Sequence, residues 1–358
     1  MSRRQAVLAA LAVVLCLVSA KPPEVVGDAG EYIVLALNFA SLSGPSLNRR
    51  AMDDLRQVVL DYSPEMDKEH FYDNAVAPRG GGSRDFMHFW FYSLAAAPFV
   101  KMARATGIPV VYGFAALNIA LFLWALWIAL PRLGAGPTLL LFSSPIVWWL
   151  DKAHTETFMF CLLTAALVLL RDKPWWAMVA AGAAATQYPH VAALVALIAG
   201  LAVMSDRARL QDRRFLYGLA TGGFLAILHP AYYYIRHGTP SLLLSVTNTG
   251  LPTWADIAAV ILDPIIGLVP NFPMLALVAG SALAILLWRR PRALLSAEVM
   301  ASVIFGALLL AVFARKDNVH HGATPSISRY ALWFIPLAAP RSEEHTSELQ
   351  SRFGISYA

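Results

Sequence analysis

The chain has 358 residues, 58% of them hydrophobic and only 14% charged, with a mean hydropathy of +0.56. Soluble domains carry about 25% charged residues, which argues against a soluble multidomain enzyme, and both cysteines, Cys16 and Cys161, sit inside apolar runs, which argues against a disulfide-stapled secreted fold. The formal net charge of +5 would suit nucleic acid, but the Lys and Arg residues are distributed as a membrane-orientation signal, so no nucleic-acid partner is expected.

A helix needs about 20 apolar residues to cross the hydrocarbon core of a bilayer. Apolar runs occupy residues 6–20, 108–130, 137–150, 157–170, 175–188, 191–204, 215–234, 274–288 and 299–313, and a last run, 330–340, is cut short. The expected fold is therefore an all-α polytopic membrane protein with about nine complete transmembrane helices and a truncated tenth. Residues 86–105 are also apolar but carry His88, Pro98 and Lys101. They read as a surface helix within a long first outer loop, 21–107.

Positive charge decides that reading, because short cytoplasmic loops are rich in Lys and Arg. With Arg3 and Arg4 inside and 86–105 not crossing, Arg132, Arg171/Lys173, the cluster from Arg207 to Arg214, and Arg289 to Arg292 all fall inside. If 86–105 crossed, every one of these clusters would fall outside. The expected location is the bacterial cytoplasmic (inner) membrane, with a cytoplasmic N-terminus. Residues 6–20 would also serve as a cleaved signal peptide ending at Val18-Ser19-Ala20, although an uncleaved anchor suits a polytopic chain better. Residues 175–204, flanked by basic loops, are expected to form a hairpin that turns at Gln187-Tyr188-Pro189-His190, where Pro189 breaks the helix. Trp148/Trp149, Trp175/Trp176 and Trp288 lie at run ends, the place of interfacial aromatic belts. The proline-rich stretch from Asp263 to Pro273 reads as a short outer-surface segment.

From Arg341 the chain turns polar and aperiodic. Back-translated, residues 341–351 fit a common short-read sequencing adapter and 355–358 fit its continuation, so 341–358 are set apart as a suspected artefact. Residues 1–340 are then one transmembrane domain, whose natural reading frame is expected to continue. Losing two Arg and three Glu with the tail moves the formal net charge from +5 to +6.

The polar groups gather on one side. Of the eight histidines before Arg341, seven fall in outward segments, and the basic inward loops contain none. The first outer loop opens with Gly27-Asp28-Ala29-Gly30-Glu31-Tyr32, whose spacing puts Asp28, Glu31 and Tyr32 on one helix face. Asp28 as N-cap with Glu31 at the third helical position is an equally good structural account, and capping and chemistry are compatible. A second polar site is Asp151-Lys152-Ala153-His154-Thr155-Glu156, directly after Trp148-Trp149-Leu150, which otherwise reads as a solvated turn with a helix-starting Glu. Arg236/His237, His320/His321 and Arg329 lie at outer helix ends. Each alone is an interfacial anchor; together they would cradle a phosphate. Phosphate-loop, HExxH and GxSxG motifs are all missing. His320-His321 is a weak metal signal, so no cofactor or metal ligand is assigned and a divalent metal is left open.

These residues resemble the GT-C superfamily of polyprenyl-phosphate-sugar-dependent glycosyltransferases, near the bacterial protein mannosyltransferases and aminoarabinose transferases. Gly27-Asp28-Ala29-Gly30-Glu31-Tyr32 is similar to the family's Gly-Asp-Glu-x-x-Tyr motif with the second acid displaced. Met87-His88-Phe89-Trp90-Phe91-Tyr92 stands where the family has a His-Pro-Pro-Leu-Tyr-like helix, without its prolines. Leu141 to Pro145 followed by Asp151 and His154-Thr155-Glu156, Leu262 to Leu268, and Ser328-Arg329-Tyr330 also look like family segments.

The resemblance implies inverting transfer of a sugar from a polyprenyl-phosphate donor to an acceptor hydroxyl of a glycan, lipid or protein, on the outer face. It implies Asp28 as general base with Glu31 beside it, and Tyr32, His88, Asp151, His154 and Glu156 positioning acceptor or donor. Arg236, His237 and Arg329 would meet the lipid phosphate. The competing class is a polytopic transporter or lipid flippase, which would explain the spans without catalysis; a membrane scaffold is a third.

Overall fold

Proline, glycine and capping side chains set the helix boundaries. The computed structural model describes residues 23–47, 84–245, 252–289, 296–314 and 327–339, with isolated positions elsewhere. Most of the run 6–20, the loop after Arg289, His320 and His321, and the tail from Arg341 lie outside the described residues.

In chain order the helices are α1 (Ala29–Ala40), then α2 (Phe91–Ala105), α3 (Val111–Leu133), α4 (Ala135–Phe142), α5 (Glu156–Leu169) and α6 (Pro174–Gln187). They continue as α7 (Ala192–Ser205), α8 (Arg213–His237), α9 (Trp254–Leu262), α10 (Leu268–Asn271), α11 (Pro273–Arg289) and α12 (Ala297–Phe313). Between α1 and α2 a two-residue antiparallel pair, β1 (Ala75–Val76) and β2 (Asp85–Phe86), sets Ala75 opposite Phe86. Short 3₁₀ turns cover Pro145–Trp149, Pro189–Val191 and Arg329–Ala338.

Local chemistry explains these boundaries. Pro174 opens α6 and Pro189 opens the turn into α7, where a missing N–H costs nothing. The side chain of Asp212 accepts the Arg214 amide at 2.9 Å, and Thr253 with Asp256 forms a capping box on α9. Gly238 stops α8 in the left-handed conformation, φ 72°.

The helices pack in sequence, α1 on α2, α2 on α3, α3 on α5, α5 on α6 and α6 on α8, and the Arg329–Ala338 turn lies on α5. Every residue of α5 is buried. The expected hairpin is present as α6 and α7 with its turn at Pro189.

Three expectations change. The run 137–150 is not one helix, because Ser143-Ser144-Pro145 divides it into α4 and a 3₁₀ turn. The run 330–340 is a 3₁₀ turn with Pro336 inside it. Among the described residues of the first outer loop, α2 behaves as a surface helix, with Leu94 and Met102 exposed, whereas α1 is enclosed, with residues 29–38 all buried.

Among the described residues, α3 is the helix long and apolar enough to cross a bilayer by length and composition alone. Ala29–Ala40, Glu156–Leu169, Pro189–Ser205 and Ala297–Phe313 are shorter apolar helices.

α6 and α8 approach through small residues. A Cβ on Gly182 would lie 2.4 Å from the Gly222 carbonyl oxygen, and one on Gly222 would lie 2.5 Å from the Met178 carbonyl oxygen. Gly218 and Gly222 make a GxxxG pair, the spacing that lets helix backbones touch where lipid offers no hydrophobic drive to associate. Gly222→Leu is expected to lower the thermal midpoint of the detergent-purified protein, at a cost of about 1–3 kcal/mol or more from overpacking. Gly223→Ala, next to it but with open space at its Cβ, leaves the midpoint unchanged or slightly raised.

Candidate active site

Four separate segments bring charged side chains to one end of the helix array: the start of α1, the stretch before α2, the turn before α5, and the start of the Arg329–Ala338 turn. Asp28 Oδ2 is the meeting point. Arg329 Nη1 donates to it at 2.9 Å, and the Nε2 atoms of His88 and His154 each lie 3.5 Å away. None of these contacts uses Oδ1.

Asp28 occupies the N-cap position of α1 but its side chain caps nothing. The capping account fails because the histidines and Arg329 claim the carboxylate. Glu31 Oε2 instead reaches His88, accepting from its backbone N–H at 3.3 Å and lying 3.1 Å from Nδ1. Glu31 Oε1 is buried with no hydrogen-bond partner. Tyr32 packs edge-on against His154 and tilted against His88, with ring centroids 5.7 and 5.5 Å apart.

On the other side, His154 Nδ1 makes a short contact with Glu156 Oε2, and His154 Nε2 lies 2.9 Å from Arg329 Nη1. Arg329 Nη2 donates to the Tyr330 hydroxyl at 3.1 Å, while its Nε, though buried, donates no hydrogen bond. The Asp28 side chain is 25% exposed, against 0% for His154 and Glu156 and 9% for Arg329. Asp28 is thus the group in this cluster that an incoming molecule reaches first.

Electrostatics keeps the cluster ionised. Burial pushes the Asp28 carboxyl up, but His88, His154 and Arg329 outweigh it and hold it well below the ordinary carboxylate range. Burial works against a charged His88, yet Asp28 and then Glu31 raise it to about 9. His154 is raised in the same way, by Glu156 and Asp28 against burial.

Asp28, Glu31 and His88 also offer ligand atoms within 4.8 Å of one another, close enough to share a cation. Arg329 already brings positive charge to Asp28 Oδ2.

The remaining expected site residues lie elsewhere. Asp151 is buried and pairs with Lys152 Nζ at 3.0 Å, which also reaches Glu24 at 3.3 Å. Arg236 and His237 do not join Arg329, because Asp85 holds both. His237 Nε2 lies 2.8 Å from Asp85 Oδ2, and Arg236 grips the same carboxylate through Nε and Nη2. Tyr232 and Ser46 complete the ring of donors to Asp85, at 3.1 and 3.0 Å. This second cluster stands three residues before His88 and anchors the chain that carries it.

One further residue, Asn118, shapes the site with no local signal in the sequence. Asn118, buried on α3, accepts from the Tyr92 hydroxyl at 3.0 Å and donates to the Lys152 carbonyl at 2.8 Å, which fixes the turn before His154. Lys152 itself makes an isolated parallel bridge with Glu24, tying that turn to the segment entering α1.

The architecture and this carboxylate–imidazole–guanidinium cluster describe a helical protein with a charged centre at one end of its array. Its fold is similar to that of ArnT from Cupriavidus metallidurans, in the crystal structure bound to undecaprenyl phosphate: the TM-score is 0.58 at 14% identity, over 98% of this chain and 61% of that one. The likeness is one of fold, and it agrees with the helical architecture expected from the sequence. No family model matches the chain, and no curated protein sequence matches it.

A histidine raised in the folded state contributes stability that is complete below its unfolded value, about 6.5, and is lost as pH climbs through the folded one. The thermal midpoint is therefore expected to fall as pH passes from 7 through about 9, the value His88 takes here. In His88→Gln that fall flattens, as a melting series at fixed ionic strength would record.

Proposed function

We propose that the protein is a GT-C glycosyltransferase that moves a sugar from a polyprenyl-phosphate donor to an acceptor hydroxyl, with inversion at the anomeric carbon. The observation that carries this reading is the accessible Asp28 carboxylate, set among His88, His154 and Arg329 on an ArnT-like fold.

Asp28 is the general base. The acceptor oxygen bonds to the anomeric carbon as the bond from that carbon to the phosphate oxygen breaks, and the acceptor proton passes to Asp28. Positive charge developing on the sugar ring is met by Asp28 and Glu31. The departing phosphate is met by Arg329, whose Nε stands 3.9 Å from Glu156 and makes no hydrogen bond. Arg236 and His237 extend the positive surface, tempered by Asp85. Tyr32, His88, His154 and Glu156 hold the acceptor and the base in register, and Asp151 acts through Lys152 on the same turn. The acceptor is a glycan, lipid or protein hydroxyl.

The chain sits in the bacterial cytoplasmic membrane with about nine complete crossings, its N-terminus cytoplasmic and this site on the outer face; the basic loops support that orientation.

Asp28→Asn is expected to cut transfer from labelled polyprenyl-phosphate sugar by about 10²–10⁴-fold, the usual worth of a general base, while insertion into membranes is unchanged. Turnover close to wild type would remove Asp28 from the role. Consumption of the donor by purified protein in detergent, where no compartments exist, separates an enzyme from a transporter or flippase.

The orientation has its own test. In a background with Cys16 and Cys161 replaced by Ala, a cysteine at the exposed Ser43 is expected to react with an impermeant thiol reagent from outside. One at Ala208 is expected not to react, and the reverse pattern overturns the placement.

A further inference from the structure

At the end of the array away from Asp28, α3, α5 and α6 do not close on one another. They leave a cleft of about 630 Å³ with mostly apolar walls, including Leu121 and Trp124 of α3, Leu162 and Leu169 of α5, and Trp176 and Ala183 of α6. Its mouth is charged. Arg132 and Lys173 line it, from the last turn of α3 and from the residue before α6. Arg132 shares its charge with Asp172 at 3.2 Å, but Arg171 and Lys173 bracket that lone acid, so the mouth is net cationic. Lys173 is also the N-cap of α6, and no side chain caps the first-turn amides there. The mouth therefore adds the positive end of a helix to its cations.

The cleft has the depth of one leaflet. Leu121 lies eleven positions before Arg132 on α3, so at 1.5 Å per residue it is roughly 16 Å further along the axis. Half of a hydrocarbon core is about 15 Å.

We propose that this cleft binds an anionic glycerophospholipid of the leaflet opposite the candidate active site. One acyl chain lies along Leu121, Trp124, Leu162 and Trp176, and the headgroup phosphate meets Lys173, Arg132 and the start of α6. Basic pockets between membrane helices favour such headgroups. A polyprenyl chain runs well beyond one leaflet, whereas this cleft spans one. The proposal rests on the membrane placement above but not on the transferase reading.

The test is lipid binding to the full-length protein purified in detergent, with defined lipids added singly. Phosphatidylglycerol is expected to raise the thermal midpoint and to be retained as a bound adduct in native mass spectrometry, in preference to phosphatidylcholine. Lys173→Gln is expected to lower that preference by about fivefold, the effect of one cation at an anionic headgroup, and Lys173→Arg to restore it. Equal retention of the two lipids, an unchanged preference in Lys173→Gln, or stronger retention of undecaprenyl phosphate that displaces phosphatidylglycerol would overturn the proposal.

A second readout needs no charge variant. Phosphatidylglycerol brominated on its acyl chain is expected to quench tryptophan fluorescence more than the brominated choline lipid, with the difference reduced in Trp176→Phe. Equal quenching counts against the site. Donor consumption is measured on the same samples, so failure of the lipid site and failure of the transferase reading are told apart.

Discussion

A guanidinium taken out of water is costly, on the order of several kcal/mol, unless anions and acceptors surround it. Arg329 is in that position, 9% exposed at the start of its turn, and the structure around it supplies what it needs. Asp28 accepts at 2.9 Å across 301 residues of chain, the Tyr330 hydroxyl accepts at 3.1 Å, and Glu156 stands 3.9 Å from Nε. Meeting that single demand forces the segment entering α1, the turn before α5 and the turn after α12 to converge. Losing Asp28 would take from the buried Arg329 its nearest anion and leave Glu156 at 3.9 Å as the remaining one, so the pair organises the fold nearby.

The neighbouring interactions keep this convergence rigid. Asn118 gathers Tyr92 and the carbonyl of Lys152, and Lys152 in turn engages Glu24. Asp85, ringed by Arg236, His237, Tyr232 and Ser46, ties the stretch before α2 to the end of α8. His88 is therefore held from both sides, by Asp85 three residues earlier and by α2 just after it. A reactive carboxylate gains from such support because small displacements of a base or its partners weaken catalysis steeply.

Much of this was legible in the sequence, residue by residue. Asp28, Glu31, Tyr32, His88, His154, Glu156 and Arg329 stood out because polar groups beside apolar runs need a reason to be there. Their meeting at one point was not legible, since it depends on contacts between segments far apart in the chain. Asp85 carries no local signal, and its partners on α8 lie 147 to 152 residues away. Asn118 sits in the middle of an apolar helix with no local sign of what it binds. Helix positions followed well from proline and charge, but Ser143-Ser144-Pro145 shows how hydropathy alone joins two elements that backbone chemistry separates. Asp85 engages Arg236 and His237, and the histidines with Arg329 engage Asp28; in both places the partner lies in a distant segment that local spacing does not reveal.

The placement of Arg329 beyond α12 also bears on biosynthesis. Asp28 leaves the ribosome long before Arg329 is made; at about 5–20 residues per second the interval is roughly 15–60 s. Throughout that time the acids and histidines at the head of the chain lack the guanidinium that fixes them. A nascent chain still threading its helices therefore lacks the pairing of Asp28 with Arg329, and a product released before that point would lack it permanently.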